Sequence, residues 1–251
     1  MNNKIFGLLC VVFMLAMAGL QAESHQILRE NIVKATPGDY IVTNQGKNYT
    51  VLLIREKVPH ELIIEEITVP SCRFPGNEYN RWKNWIEEGA PGHTGWFMYQ
   101  LNTDTGAMNQ AFSFPKNSWF EIAAADNFLS GLLNLDFQYI PPQSRKHVGP
   151  RNTSGSIVRE QRRIWQPQMI VEGQIIPDVQ FSAWKTYWPK DGSDLAGKLI
   201  EIYIPEDDER YPSYFPYWLQ ISGVVGKAKI RIVDSGTGLK SPKPNVFLLD
   251  R

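Results

Sequence analysis

Residues 198–204 read Lys198-Leu199-Ile200-Glu201-Ile202-Tyr203-Ile204, with Ile200, Ile202 and Ile204 on one alternating face and Glu201 on the other. Extended backbone turns successive side chains to opposite sides, so a spacing of two predicts a strand with one buried face. The run 227–233 repeats the pattern, setting Ala228, Ile230 and Ile232 against Lys229 and Arg231. Between them lies 217–222, joined to the later run by Gly223-Val224-Val225-Gly226. Three consecutive antiparallel strands are the expectation.

The same reading extends toward the amino end. Tyr49-Thr50-Val51-Leu52-Leu53-Ile54 is apolar on both alternating faces, which suits a central strand covered on two sides. Residues 61–69 are rich in Ile and stop at Pro70, a further strand. Runs 95–101 and 108–114 flank Asn102-Thr103-Asp104-Thr105-Gly106-Ala107, a stretch with the composition of a hairpin turn. Helical spacing is confined to two short places. Residues 79–88 put Trp82, Trp85 and Ile86 at i, i+3 and i+4 before Gly89-Ala90-Pro91-Gly92. Residues 126–133 gather Phe128, Leu129, Leu132 and Leu133 on one side, with Asp126 as a candidate N-cap. The fold class expected is mainly β: an antiparallel sheet, as a half-barrel or two β lobes, carrying two short helices.

Domain organisation follows from three composition shifts. Met1-Asn2-Asn3-Lys4 precedes an apolar run ending at Leu20-Gln21-Ala22, and the chain turns polar at Glu23. A short cationic start, an apolar stretch and a small residue before a polar switch predict a cleavable secretory signal peptide over 1–22. Residues 23–251 are then expected as one exported β-rich domain, periplasmic, in the cell envelope or secreted. The alternative is two lobes, 23–142 and 163–251, joined by the basic, Pro/Gly-rich stretch 141–163. That stretch carries Arg145, Lys146, Arg151, Arg159, Arg162 and Arg163 against Glu160 alone.

Charge and cysteine content exclude several function classes. Lys4 is the one charged residue before Glu23, so the exported part keeps 25 of the 26 Lys+Arg against 26 Asp+Glu. A balanced surface argues against a general nucleic-acid binder and against electrostatic membrane adsorption. With the leader removed no stable transmembrane span is expected. Of the two cysteines, Cys10 lies in the leader and Cys72 stands alone, so stability must come from the core and not from an internal disulfide.

Candidate chemistry is sparse. Asp104-Thr105-Gly106-Ala107 and Asp234-Ser235-Gly236-Thr237 each resemble the active-site turns of aspartic proteases, where two aspartates share a proton. The resemblance covers about eight residues, polar Asn102-Thr103 precedes the first Asp, and the chain after Asp234 is too short to build the rest of a catalytic lobe. Ordinary turns are the favoured reading. Cys72 lacks a local histidine partner, the four histidines lack metal-ligand spacing, and no nucleotide-binding or nucleophile-elbow motif occurs. His93, between Gly92 and Thr94, is read as a hydrogen-bonded loop residue in preference to a pocket base. No catalytic residue, cofactor or metal is assigned.

Aromatic residues supply the candidate binding site. Trp165, Trp184, Tyr187 and Trp188 fall near Arg162 and Arg163, and Tyr214, Tyr217 and Trp218 form a second group. Rings suit both sugar stacking and apolar pockets, although strands attract Tyr and Trp for packing alone. The leading expectation is a non-catalytic envelope or periplasmic binding or carrier protein for a lipid or glycan ligand. In overall design it is similar to half-barrel carriers of apolar ligands. The alternatives are an exported hydrolase using Asp234 or Cys72, and a surface interaction module acting through the basic segment 145–163. A carrier requires a wide apolar cavity, and a hydrolase requires Asp234 or Cys72 beside another titratable group in a pocket.

Overall fold

The computed structural model describes residues 24–74, 82–122, 128–149, 162–207, 211–223 and 226–248. The signal peptide expected over 1–22 lies outside these residues, as do Asp126, Arg151 and Arg159.

Twelve strands form one antiparallel sheet. In chain order they are β1 (Ser24–His25), β2 (Tyr40–Gln45), β3 (Asn48–Val58), β4 (Glu61–Pro70), β5 (Gly95–Asn102), β6 (Gln110–Ser113), β7 (Ser118–Glu121) and β8 (Phe137–Tyr139), then β13 (Phe181–Tyr187), β14 (Leu199–Pro205), β15 (Trp218–Gly223) and β16 (Gly226–Gly236). Two small ribbons stand outside it: β9 (His147–Val148) with β10 (Arg163–Ile164), and β11 (Met169–Val171) with β12 (Gln174–Ile176). The order across the sheet is β1-β8-β13-β14-β15-β16-β2-β3-β4-β5-β6-β7. Two meanders, β2 to β7 and β13 to β16, thus join edge to edge through β16 and β2. The sheet is continuous across the basic stretch, since β13 also pairs with β8.

The three strands expected near the carboxyl end pair in the expected order, with Ile202 opposite Leu219 and Leu219 opposite Ile230. Directly opposed residues share a face, so one apolar stripe runs through them and continues via Ile232 opposite Thr43 into β2. A bulge between Ile232 and Asp234 shifts the register there.

Both faces of the central strands are covered, as the sequence of β3 predicts. Val51, Leu53, Ile67, Val69 and Trp96 face helix α2 (Trp82–Glu87), whose Trp82, Trp85 and Ile86 are buried against them. The opposite face carries Ile41, Ile54, Leu62, Ile64 and Leu101 beneath α1 (Ile27–Ile32) and α3 (Phe128–Leu133). Helix α1 has no sequence signal beyond Leu28, Asn31 and Ile32 at i, i+3 and i+4, and its first turn lacks a side-chain cap. Tertiary packing holds it, helped by Arg29 Nη1 donating to Asn134 Oδ1 at 2.8 Å just past α3.

The stretch 102–107 forms the turn its composition implies. Asn102 Oδ1 accepts the backbone N–H groups of Asp104 (3.1 Å) and Thr105 (2.9 Å), and Gly106 adopts φ +68°. No helix among the described residues is long and apolar enough to cross a membrane.

Candidate functional site

The sheet face beneath α3 is not filled completely. Between β2–β7 and the helix lies a recess of about 570 Å³, within the range of about 300–1,000 Å³ common for small-ligand sites. Its floor derives from strand alternation: Thr43, Thr50, Leu52, Glu66, Phe97, Tyr99, Ala111 and Phe120 all project to this side. Phe128 and Leu129 of α3, with Phe215 and Ile230, complete the wall.

Polarity is unevenly distributed around this space. Thr43, Gln45, Thr50 and Glu66 occupy neighbouring positions on β2, β3 and β4. Met108, Ala111, Phe120, Ile122, Phe128 and Leu129 make the other side apolar. Tyr99 donates its hydroxyl to Glu66 Oε2 at 3.1 Å. Burial pushes the Glu66 carboxyl above its ordinary range, and the Tyr99 hydrogen bond opposes that rise. Tyr99 is itself raised well above the usual phenol range, by burial first and by the adjacent Glu66 charge second. The Thr43 hydroxyl is engaged, donating to the Thr50 carbonyl at 3.2 Å. Such a pocket can desolvate an apolar body and orient one polar end.

The nine residues singled out from sequence take other positions, and none of them lines this recess. Trp165 and Trp218 do come together, edge to face at 4.9 Å, with Tyr203 on the first ring. Lys146 and Lys229 lie over these two indoles at 5.3 and 5.4 Å. Arg163 is nearby in β10 and exposed, while Arg162 is half-buried. Trp184 packs against Tyr139 and His25, and Tyr187 stands 68% exposed at the end of β13. Trp188 is buried, stacked on Phe128 at 5.7 Å, with its indole N–H donated to Asp191. Tyr214 and Tyr217 belong to the core, and Tyr217 pairs its hydroxyl with Ser235 Oγ at 2.6 Å. The recess residues lacked a local sequence signal, because Glu66 and Tyr99 meet only through the pairing of β4 with β5.

The residues considered for catalysis are also separate. Asp104 is exposed on its turn and pairs with His60 Nδ1 at 2.7 Å. Asp234 lies not on the expected turn but within β16, paired with Val42 just past the bulge, and is buried, accepting the Gly173 N–H at 2.9 Å and the Tyr40 hydroxyl at 3.4 Å. Desolvation raises its carboxyl above the ordinary range, and the backbone N–H groups of Gly173 and Ser235 counteract the rise. A smaller hollow of about 380 Å³ opens beyond Tyr40, lined also by Lys83, Glu172 and Gln174, with Lys83 Nζ 2.5 Å from Glu172 Oε1. Cys72 is exposed. His93 donates its Nδ1–H to the Ala90 carbonyl, 2.8 Å away, and sets its ring against Trp96, as a loop residue would. Arg145, from the basic stretch, is buried and donates to the carbonyls of Ile140 and Phe181 and to the Tyr139 hydroxyl.

Comparison with known proteins gives a family and a fold. The family model described as CT021 protein matches residues 50–177. That match spans half of the chain, which therefore belongs to the CT021 protein family. The solved structure of the hypothetical protein CT021 from Chlamydia trachomatis is similar with a TM-score of 0.60 at 20% identity, over 87% of this chain and 96% of that one. At that identity the likeness establishes the architecture alone. No curated protein matches.

Proposed function

We propose that this member of the CT021 family is an exported, non-catalytic carrier that holds an apolar ligand in the recess between the sheet and α3. The observation that supports the reading is the recess itself, large enough for a lipid-sized chain and lined mainly by apolar and aromatic side chains. Its described wall holds no serine, cysteine or histidine, so the side chains that usually act as nucleophile and base in acyl transfer are not at this space. Export is supported by the charge and hydropathy pattern of residues 1–22. An apolar ligand is favoured over a glycan because a sugar needs many hydrogen-bond partners, and the polar groups here are gathered on one side.

Two measurements test the carrier. Protein purified from its own host is analysed by native mass spectrometry, with a copurifying lipid expected. The same protein is titrated with Nile red, a neutral apolar dye, and saturable one-to-one binding is expected. Ala111→Phe projects a ring into the recess and should weaken Nile red binding about tenfold, a loss of roughly 1.4 kcal/mol, with an unchanged circular dichroism spectrum. A folded protein that brings no lipid and binds no dye would overturn the reading. Hydrolytic activity lost on Asp234→Asn would replace it with the enzyme alternative.

A further inference from the structure

We propose that the recess selects amphiphiles whose head group donates hydrogen bonds or carries positive charge, such as long-chain alcohols and amines, over those with an anionic head; this rests on the carrier reading above. The polar side of the recess carries Thr43, Gln45, Thr50 and Glu66, and the apolar side faces it from β6, β7 and α3. A molecule matching both sides has an apolar tail and a single polar end.

The chemistry of that end is set by sign. Glu66 and Glu121 are the charged residues among the described wall, which includes no lysine, arginine or histidine. Glu121 sits exposed on the edge strand β7, whereas Glu66 is half-buried in the floor of β4. A carboxylate accepts up to about four hydrogen bonds, and Tyr99 supplies one to Glu66. An ammonium or hydroxyl head beside Glu66 adds donors to that acceptor, and charge-assisted bonds to a half-buried carboxylate are stronger than neutral ones. A carboxylate or phosphate head would place like charges together with no described cation in the wall to offset them. Selectivity therefore comes as much from the excluded head group as from the accepted one.

The test displaces Nile red from the purified full-length protein at neutral pH with three ligands of equal chain length: dodecylamine, dodecanol and dodecanoate. Dodecylamine and dodecanol are expected to displace the dye at about tenfold lower concentration than dodecanoate, the scale of one hydrogen bond to a charged group. Glu66→Gln should narrow that ratio to within about threefold, chiefly by improving dodecanoate. The wild-type ratio requires no variant, so the inference stays testable if the substituted protein fails to fold. Dodecanoate binding as tightly as the other two would overturn the inference while leaving the carrier intact. So would a preference that survives Glu66→Gln and vanishes in Glu121→Gln. Failure of the dye and all three ligands to bind would overturn both.

Discussion

Replacing Arg55 by Met should be among the most destabilising single changes in the molecule. Glu65 projects from β4 to the face opposite the recess, and its side chain is fully buried. Arg55 Nη1 lies 2.9 Å from Glu65 Oε1, while Nη2 donates to the Lys243 carbonyl at 2.9 Å and so ties the C-terminal segment to the sheet. Ser241 Oγ donates to the same carboxylate at 3.0 Å. Breaking one member of a buried pair costs about 3–5 kcal/mol, because the remaining charge is left uncompensated. For a chain of this size that corresponds to a fall in Tm of about 6–20 °C.

The loss should also depend on pH in a defined direction. Burial raises the Glu65 carboxyl above its ordinary range, and the Arg55 guanidinium is the largest influence holding it down. A carboxyl raised in the folded state contributes stability below its ordinary range and loses that contribution as pH rises through the folded value. Arg55→Met raises the folded value further, so its deficit against wild type should be largest near pH 7 and smaller at about pH 5. Urea unfolding followed by tryptophan fluorescence at the two pH values measures this. Arg55→Met combined with Glu65→Leu should recover most of the loss, since an apolar pair of similar volume is tolerated where a lone charge is not. A deficit under about 1 kcal/mol, or one equal at both pH values, would refute the argument.

Other expectations follow from single contacts. Gly131→Ala would ordinarily favour a helix by about 1 kcal/mol, but in α3 the added Cβ would stand 2.7 Å from the Trp188 ring. Overpacking of about 1–3 kcal/mol should win, with a changed tryptophan emission as Trp188 leaves Phe128. Asp234→Asn should destabilise the fold by about 1–3 kcal/mol, measured by urea unfolding, through the contacts to Gly173 and Tyr40. Nile red affinity should remain within about twofold in that variant, because Asp234 lies on the sheet face opposite the recess. Cys72, being exposed, should react with maleimide in the native protein without loss of dye binding, read by intact mass and titration.

Much of the strand content is legible in the sequence alone. Period-two alternation at Ile200, Ile202 and Ile204 needs only local backbone geometry to be interpreted, and the two-sided apolar run in β3 announced its own burial. Strands β2 and β13 carry no clear alternation in the sequence: Tyr40-Ile41-Val42 merges into polar Thr43-Asn44-Gln45, and β13 mixes Ala183 and Trp184 with Lys185. Their identity is decided by the neighbours they pair with. The aromatic groups near 165 and 214 were visible as composition, yet Trp188, Tyr214 and Tyr217 are buried in the core.

Sequence alone determined the β-rich class, the turn at 102–107, the apolar faces of α2 and α3, and the balance of charge, all of which depend on residues close together in the chain. Tertiary structure alone decided that β16 joins β2 to make one sheet, and that α3 stands far enough from β2–β7 to leave a hollow. It also decided that Glu66 and Tyr99, 33 residues apart, meet in the wall of that hollow. The physical reason is that an unfilled volume and its lining depend on register and layer spacing, which sum over long-range contacts and leave no periodic trace in the chain.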